Sequence, residues 1–284
     1  MKISIVTPSL NQGRYLREAL ESVRVQGSSL VEHLVLDGVS TDETVSLLQS
    51  LNGREEWKHL SWLSQRDGGQ SEALNRGFGE ARGDIVGWLN SDDRYCGGCF
   101  DRVVKAFAEN PDVDVLYGDF TVMNEGGVTL RVRREIDFSR FILLYHRVSY
   151  IPTPATFFRR RVFDDGNRLQ PNLHYAMDYE FFLRLADAGY KIRHIPYVLA
   201  DFRMHPESKS CSRELVQARE KREIMRSLSS IGRRVGSPLL RHAAFMGLQW
   251  TASVMRYSEK MLRGYYFRGT VQEGGAGRGV PPTA

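Results

Sequence analysis

Two adjacent carboxylates, Asp92 and Asp93, are the residues of this sequence best placed to do chemistry. They follow the apolar run 84–89, which predicts a buried strand, at the point where such a strand would end. Neighbouring carboxylates repel each other and burial raises the pKa of both, whereas a divalent cation bound to their oxygens relieves both penalties. The pair therefore indicates a metal site at the edge of a sheet. A solvated turn in which either acid caps the next helix fits the local sequence equally well.

Further candidate binding residues lie at the ends of the other predicted strands. They are Thr7, Pro8, Ser9 and Asn11 at the first strand, Asp37 at the second and Asp67 at the third. In parallel sheets, ligands bind beyond the carboxyl ends of the strands. A single Asp beside a Gly is usually a turn residue, but acids at the ends of three strands predict one shared binding rim.

The elements that would position these residues alternate along the first 120 residues. Expected strands cover 2–9, 33–36, 60–63, 84–89 and 113–120, and expected helices cover 15–25, 41–51, 69–81 and 100–108. This rhythm predicts an α/β fold in which helices flank a mostly parallel central sheet. Ser40 and Glu43 have the spacing of a capping box, so we interpret Ser40 and Thr41 as caps of the second helix.

After residue 120 the alternation weakens. The turn residues at 124–127 predict a hairpin, and runs at 155–158 and 191–200 predict further strands. The run 177–188 predicts an amphipathic helix in which Asp178 shares a face with apolar residues and points inward. An inward carboxylate needs a partner or a chemical role, and from position alone a helix N-cap is the alternative.

The length of the chain and its few cysteines limit the classes of protein to which it can belong. A chain of 284 residues fits one large domain, or one domain with an appendage. Three cysteines cannot build a disulfide framework, so we expect a reducing, cytoplasmic setting. Cys96 and Cys99 form a C-x-x-C pair, but only Cys211 remains to join them, which excludes a four-thiolate zinc site. We interpret the pair as incidental, because a redox role would explain none of the acids on the rim.

The basic excess of the chain lies in its C-terminal quarter. Residues 205–284 hold 14 Lys or Arg against 6 Asp or Glu, whereas the whole chain carries a net charge of +5. The segment from 213 to about 267 is mostly helical by pattern and mixes large apolar side chains with arginines. Three alternatives stay open for these helices: an interfacial position on an anionic membrane, packing on the rest of the chain, or contact in a homodimer. No nucleic-acid-binding module is visible, and no apolar run is long enough to predict a membrane span.

Four segments, taken together, resemble the inverting glycosyltransferases of family 2, which have the Rossmann-like GT-A fold. They are residues 5–11, 33–42, 67–70 and 87–93. The resemblance covers about residues 1–205 and implies a catalytic domain over 1–210. Its nucleotide-binding part would be 1–120 and its acceptor-binding part 121–210. A helical extension over 211–268 and a disordered tail over 269–284 would follow.

The resemblance implies a role for each matched position. Asp37 would accept a hydrogen bond from the base, as uracil N3–H supplies, and Asp92 would lie near the ribose or donor sugar. Asp93, with His205 as second ligand, would bind the Mg²⁺ or Mn²⁺ that bridges the diphosphate. Asp178 would take the proton of the acceptor hydroxyl. The other implied donor-binding residues are Thr7, Pro8, Ser9, Asn11, Asp67, Asn75 and Arg203, with Lys209 as a further cation for the diphosphate.

The implied activity is inverting transfer of a sugar from a nucleotide-sugar donor, expected to be UDP-linked. The acceptor would be a hydroxyl of a glycan, a lipid-linked molecule or another compound in the synthesis of cell-surface polysaccharide or glycoconjugate. We expect acceptor contacts from residues 138–175, and a cytoplasmic location that includes the inner face of the membrane. The alternative is a nucleotide-sugar-binding module without catalysis that acts in assembly or regulation. The joint presence of Asp37, Asp93 and Asp178 favours the enzyme.

Overall fold

The computed structural model describes residues 1–27, 30–146, 148–208, 214–229 and 237–266. The predictions made for Lys209, Cys211 and the tail 269–284 lie outside these residues. The strands are β1 Ile3–Ser9, β2 Leu30–Asp37, β3 Leu60–Ser64, β4 Ile85–Trp88, β5 Arg94–Tyr95, β6 Val115–Met123, β7 Thr129–Arg133, β8 Thr156–Arg159 and β9 Ile192–Arg203. The helices are α1 Gly13–Arg24, α2 Thr44–Leu51, α3 Gln70–Glu80, α4 Cys99–Glu109, α5 Arg140–Tyr145, α6 Arg161–Asp164, α7 Met177–Asp187, α8 Glu214–Leu228 and α9 Pro238–Leu262.

All nine strands of the described residues join one sheet, in the order β3-β2-β1-β4-β8-β6-β9-β5, with β7 paired to β6 outside this path. The first four strands pair in parallel, as do β6 and β9. The antiparallel pairs are β4–β8, β6–β8, β6–β7 and β5–β9. The parallel part therefore corresponds to the regular βα rhythm of the sequence, and the antiparallel strands enter where that rhythm weakens.

Strand β1 lies at the centre of the core because helices cover both of its faces. Its seven residues are all buried. Ile3 and Ile5 pack in one cluster with residues of α1 and α4, while Val6 packs on the other face with residues of α3 and α7. Burial on both faces explains why the sequence of this strand is a nearly continuous apolar run. Each fully buried Ile side chain stabilises the folded state by about 1.5–3 kcal/mol.

Two glycines allow the elements around β1 to approach closely. A Cβ on Gly77 of α3 would lie 2.3 Å from Cγ1 of Val6, and a Cβ on Gly87 of β4 would lie 2.7 Å from Cδ1 of Ile5. Neither position has room for a methyl group, so α3 and β4 are held against β1 at a fixed distance. The loops that follow β1 and β4 and precede α3 are thereby brought to the same edge of the sheet.

The capping box predicted for α2 does not form. The helix begins at Thr44, and the Ser40 hydroxyl instead donates to Asp37, while the Thr41 N–H donates to Oδ1 of Asn11 at 2.8 Å. Asp42 supplies the local acceptors: its Oδ1 accepts the Thr44 N–H at 3.0 Å and its Oδ2 accepts the Gly13 N–H at 2.9 Å. One carboxylate therefore fixes the starts of α1 and α2 together.

The two C-terminal helices pack on the rest of the chain, which is one of the three alternatives left open by the sequence. Helix α9 contacts α5, and α8 contacts α7. Glu135 is fully buried and bonds Arg256 at 2.6 Å and Lys260 at 2.9 Å, so a buried ion cluster anchors α9. Within the described ranges, no helix combines the length and apolar character needed to cross a bilayer.

Candidate active site

A cavity of about 600 Å³ opens at the carboxyl ends of β1 and β4, a size typical of small-ligand sites. Five of the predicted site residues line it, namely Pro8, Ser9, Asp67, Asp92 and Asp178. The remaining predicted residues of the site lie beneath or beside this surface, where most of them hold the lining loops in place.

Two residues at the end of β1 have different surroundings: Thr7 supports the sheet, whereas Ser9 lines the cavity. Thr7 is fully buried, and its hydroxyl lies 2.8 Å from Nε2 of His33 on β2. Burial lowers the pKa of His33 to about 3, so the ring is neutral and the pair ties β1 to β2. Ser9 lies two residues further on, and its buried hydroxyl has no hydrogen-bond partner within the part of the chain that the structure describes.

Asp37 does not line the main cavity but holds the neighbouring loops in place through hydrogen bonds. Its carboxylate accepts hydrogen bonds from the Val39 N–H at 3.1 Å, the Ser40 N–H at 3.0 Å and the Ser64 hydroxyl at 2.6 Å, as well as from the Ser40 hydroxyl. Asn11 bridges the same loops through Ser40 and Thr41. These contacts hold the carboxyl ends of β1, β2 and β3 in register, as the pairings of Asp37 with Ser9 and with Ser64 require.

Asp67 is more accessible than Asp37, although the two share a second, smaller recess. This recess of about 90 Å³ is lined by Asp37, Asp67, Gln65 and Arg66 among others. One oxygen of Asp67 accepts the Gly69 N–H at 2.8 Å, and Asp67 also lines the main cavity. Asp67 therefore connects the recess to the cavity and presents its carboxylate to both.

The two adjacent acids, Asp92 and Asp93, have different surroundings. Asp93 is 1% exposed, with one oxygen accepting the Arg203 N–H at 2.9 Å and the other accepting Nδ2 of Asn90 at 3.0 Å. Burial, and then the charge of Asp92, raise the pKa of Asp93 well above its usual value. Asp92 instead lines the cavity, and its Oδ2 lies 3.1 Å from Nε2 of His205. Asp92, not Asp93, is therefore the member of the pair that meets the predicted second ligand.

Arg203 is buried, and all its nitrogens serve the structure. Its Nε donates to the Asp92 carbonyl at 2.8 Å, Nη1 to the Glu125 carbonyl at 2.7 Å and Nη2 to Glu18 at 2.7 Å. The side chain thus joins the turn after β4 to the β6–β7 hairpin and to α1. Asn75 has a comparable role, since its amide exchanges two hydrogen bonds with the backbone of Leu169 at 2.8 and 2.9 Å.

Asp178 lies in the first turn of α7 and lines the cavity, as its position on the inward face predicts. The N-cap of this helix is Ala176, so Asp178 does not cap it. Burial raises the pKa of Asp178, while the nearby ammonium of Lys221 and backbone N–H groups oppose that rise. A carboxylate with a raised pKa at a cavity wall is suited to accept a proton.

Lys221 and Gln217 of α8 also line the cavity, and the sequence patterns did not single them out. They lie four residues apart, so they share one face of the helix. This spacing was the one sequence pattern that could have indicated a shared site, but polar residues four apart are common on any exposed helix. Only the packing of α8 beside α7 turns this face towards the cavity.

The far side of the cavity combines an apolar floor with cationic edges. Phe120 and Val122 of β6 pair across the sheet with Arg133 and Arg131 of β7, and Val122 pairs on its other side with Phe202 of β9. All five side chains line the cavity. The opposite wall comes from residues 148–154, which lie within the segment expected to contact an acceptor.

The C-x-x-C pair lies next to this site but outside the cavity lining. Burial raises the pKa of Cys96 to about 12, and burial also raises the pKa of Cys99. Because the thiolate is the reactive form of cysteine, both side chains are inert thiols at neutral pH. Across the described residues, no three His, Cys, Asp or Glu side chains are grouped to hold a metal ion.

Comparison with known proteins assigns the family. The model of glycosyl transferase family 2 matches residues 4–166, and the chain belongs to that family. The uncharacterized glycosyltransferase Rv1514c of Mycobacterium tuberculosis H37Rv is 33% identical over 187 residues, which are 65% of this chain and 68% of the relative. The O-antigen biosynthesis protein RfbC of Myxococcus xanthus is 28% identical over 194 residues, which are 68% of this chain but 15% of RfbC.

Solved structures show that the fold is GT-A. Residues 1–349 of S. aureus TarS, in complex with UDP-GlcNAc, align with a TM-score of 0.61 and 21% identity over 96% of this chain and 77% of that chain. The mannosyltransferase PcManGT of Pyrobaculum calidifontis, in complex with GDP-Man and Mn²⁺, aligns with a TM-score of 0.61 and 17% identity over 95% of this chain and 76% of that chain. The predicted fold class is thereby confirmed.

Proposed function

We propose that this glycosyltransferase moves a sugar from a UDP-linked donor to an acceptor hydroxyl in one inverting, metal-dependent displacement. The observation that carries the proposal is the arrangement around one cavity. The Asp92–His205 pair and the Asp67 recess flank its donor side, and the Asp178 carboxylate lines the same cavity.

The donor side favours a nucleoside diphosphate with a small base. The Asp37–Asp67 recess measures about 90 Å³, a small volume that favours a pyrimidine over a purine, and the Asp67 carboxylate can accept the N–H of the base. TarS was solved with UDP-GlcNAc and PcManGT with GDP-Man, so both kinds of base occur among chains of this fold. We expect Asp67 to make the base contact, since the Asp37 oxygens already accept several donors.

The residues at the rim fit a divalent cation. Asp92 and His205 present a carboxylate oxygen and an imidazole nitrogen 3.1 Å apart, a mixed donor set that suits Mn²⁺ better than Mg²⁺. We therefore assign the metal contact to Asp92 and His205, and a supporting role to Asp93. A cation held there would neutralise the charge of the leaving diphosphate.

In the proposed reaction, Asp178 accepts the proton of the acceptor hydroxyl as its oxygen attacks the anomeric carbon. Attack comes from the face opposite the diphosphate, so the configuration inverts and no covalent enzyme intermediate forms. The cavity contributes by holding both substrates in line and by limiting the access of water.

The acceptor side favours a molecule with apolar and anionic parts. Phe120, Val122 and Phe202 offer apolar contact, while Arg131 and Arg133 lie at the edge of the same floor. Lipid-linked acceptors combine these properties. The relative RfbC is named for O-antigen biosynthesis, which supports a role in cell-surface polysaccharide synthesis.

We also propose that α9 rests on the cytoplasmic surface of an anionic membrane. Side chains at helical spacing form an outward stripe in which each is 42–83% exposed, namely Leu239, Met246, Trp250, Val254, Tyr257 and Met261. The run 243–255 contains no charged residue, and Glu135 anchors the opposite face. The basic excess of residues 205–284 in the sequence would repel a second copy but attract anionic lipid, so a membrane is the occupant we favour over a homodimer.

Thermal unfolding with nucleotides tests the donor assignment. With Mn²⁺ present, UDP should raise the unfolding temperature more than GDP or pyrophosphate, since a ligand at 100 times its Kd adds about 2.7 kcal/mol of stability. Asp67→Leu should remove the preference for UDP, because it removes the acceptor for the base N–H. Equal stabilisation by pyrophosphate would contradict use of the recess. UDP binding without release of UDP from any UDP-sugar would favour the non-catalytic binding module.

A further inference from the structure

Helix α8 contributes an unpaired cation to the active site. The Nζ atom of Lys221 lies 5.8 Å from the centre of the Tyr179 ring, and the side chain lines the same cavity as Asp178. Among the described residues, no carboxylate comes within 4 Å of this ammonium. Lys221 is therefore close enough to influence Asp178 without blocking the oxygens that would accept a proton.

The position of α8 is fixed relative to the start of α7. The Glu220 carboxylate accepts the N–H groups of Tyr175 at 2.9 Å and Ala176 at 2.8 Å, and that of His174 at 3.2 Å. Gln217 donates to the Tyr175 carbonyl at 3.0 Å. These bonds attach α8 to the loop that leads into the first turn of α7, so Lys221 and Asp178 hold a constant separation.

The charged forms of Asp178 and Lys221 stabilise each other. Burial raises the pKa of Asp178 and lowers the pKa of Lys221, and the attraction between the two groups opposes both shifts. The Glu220 carboxylate also raises the pKa of Asp178, although three backbone N–H groups donate to it. Without Lys221, Asp178 would be a buried carboxylate with a like charge nearby.

We propose that Lys221 is a positioning residue that keeps Asp178 ionised as the base, so that α8 is part of the catalytic unit rather than an appendage. This inference rests on the proposed function.

The test is the pH dependence of kcat/KM for release of UDP from UDP-GlcNAc with Mn²⁺, in the full-length protein. Lys221→Met should move the acid limb of the profile up by about one pH unit, and the rate below that limb should fall about tenfold. Lys221→Arg should restore the wild-type limb because it restores the charge. Arg222→Met is the matched control, since Arg222 is exposed on the same helix and does not line the cavity.

The outcomes separate this inference from the proposed function. An unchanged acid limb in Lys221→Met, or a limb that Lys221→Arg fails to restore, would overturn the role of Lys221 while leaving the base assignment intact. Full activity of Asp178→Asn would instead overturn the base assignment itself. Should Lys221→Met not fold, Lys221→Gln offers a polar replacement without charge and carries the same expected shift.

Discussion

Asp92 and Asp93 are neighbours in the chain, but their carboxylates have different surroundings. Asp93 is buried against the Arg203 backbone and Asn90, whereas Asp92 lines the cavity beside His205. The first arrangement stabilises the turn after β4, and the second offers ligands to a cation. We therefore predict separable effects of the two acids, with Asp93 acting on folding and Asp92 on the proposed metal contact.

Asp92→Ala should abolish the Mn²⁺ dependence of UDP binding with little effect on folding, because its carboxylate is the accessible ligand. Asp93→Ala should lower the free energy of unfolding by about 1–3 kcal/mol, since it leaves the buried Arg203 N–H without an acceptor. Calorimetric titration with UDP, with and without Mn²⁺, and denaturant unfolding measure the two effects. If Asp93→Ala folds normally and loses the Mn²⁺ dependence while Asp92→Ala keeps it, then Asp93 is the metal ligand instead.

Asp178→Asn should lower turnover by about 10²–10⁴-fold while preserving UDP binding, because the amide cannot accept the proton. Burial raises the pKa of Asp178, so wild-type activity should fall as pH drops through a value above the usual carboxyl range. Initial rates against pH measure this limb. Glu180→Gln is the control on the same helix, where Glu180 pairs with Arg184. Comparable losses in both variants would argue against a specific base.

At this scale, sequence patterns identified the rim acids and the inward position of Asp178. The family resemblance assigned the metal to Asp93 and the donor side to Asp92, but the contact that buries Asp93 comes from β9, 110 residues further along the chain. The donor-binding roles that the family resemblance implies for Arg203 and Asn75 stay predictions, and in the structure both side chains bond other parts of the chain. Long-range partners of this kind leave no local pattern.

At the scale of elements, the buried Glu135 cluster decides where α9 lies. Its carboxylate bonds Arg256 at 2.6 Å and Lys260 at 2.9 Å, and burial lowers the pKa of Lys260. Charged partners in such a setting depend strongly on one another. The cluster also fixes which face of α9 points outward.

Glu135→Ala should therefore destabilise the protein by about 3–5 kcal/mol, because it leaves two buried cations without a partner. Glu55→Ala, which removes an exposed pair with Lys58, should leave the stability almost unchanged. Denaturant unfolding of both variants measures the difference. Equal stabilities would mean that α9 is held by apolar contacts alone.

Helices and strands were largely predictable because periodicity is a local property. The second helix shows the limit: Ser40 and Glu43 have capping-box spacing, but Asp37 is a stronger partner for the Ser40 hydroxyl. The acceptor for the first turn is Asp42, which also reaches Gly13. The packing of α8 beside α7 had no local signature, so the cavity wall that carries Lys221 was missed.

At the scale of the whole molecule, the stripe on α9 predicts peripheral binding to anionic vesicles. Flotation with phosphatidylcholine vesicles containing phosphatidylglycerol should recover the wild-type protein, and vesicles of phosphatidylcholine alone should recover less. Trp250→Ser should reduce recovery, while Val128→Ser, an exposed apolar change on the β6–β7 turn, should not. A concentration-dependent dimer that Trp250→Ser abolishes, without vesicle binding, would identify a second copy as the occupant.

The central claim is that this cavity performs inverting glycosyl transfer with Asp178 as base. Its most direct test is ¹H NMR of the sugar freed from UDP-GlcNAc, followed from the first minutes with Mn²⁺ and with water as the acceptor. We predict that the β-anomer appears first, with release of UDP, and that Asp178→Asn produces neither. Initial appearance of the α-anomer, or release at the same rate by Asp178→Asn, would contradict the account.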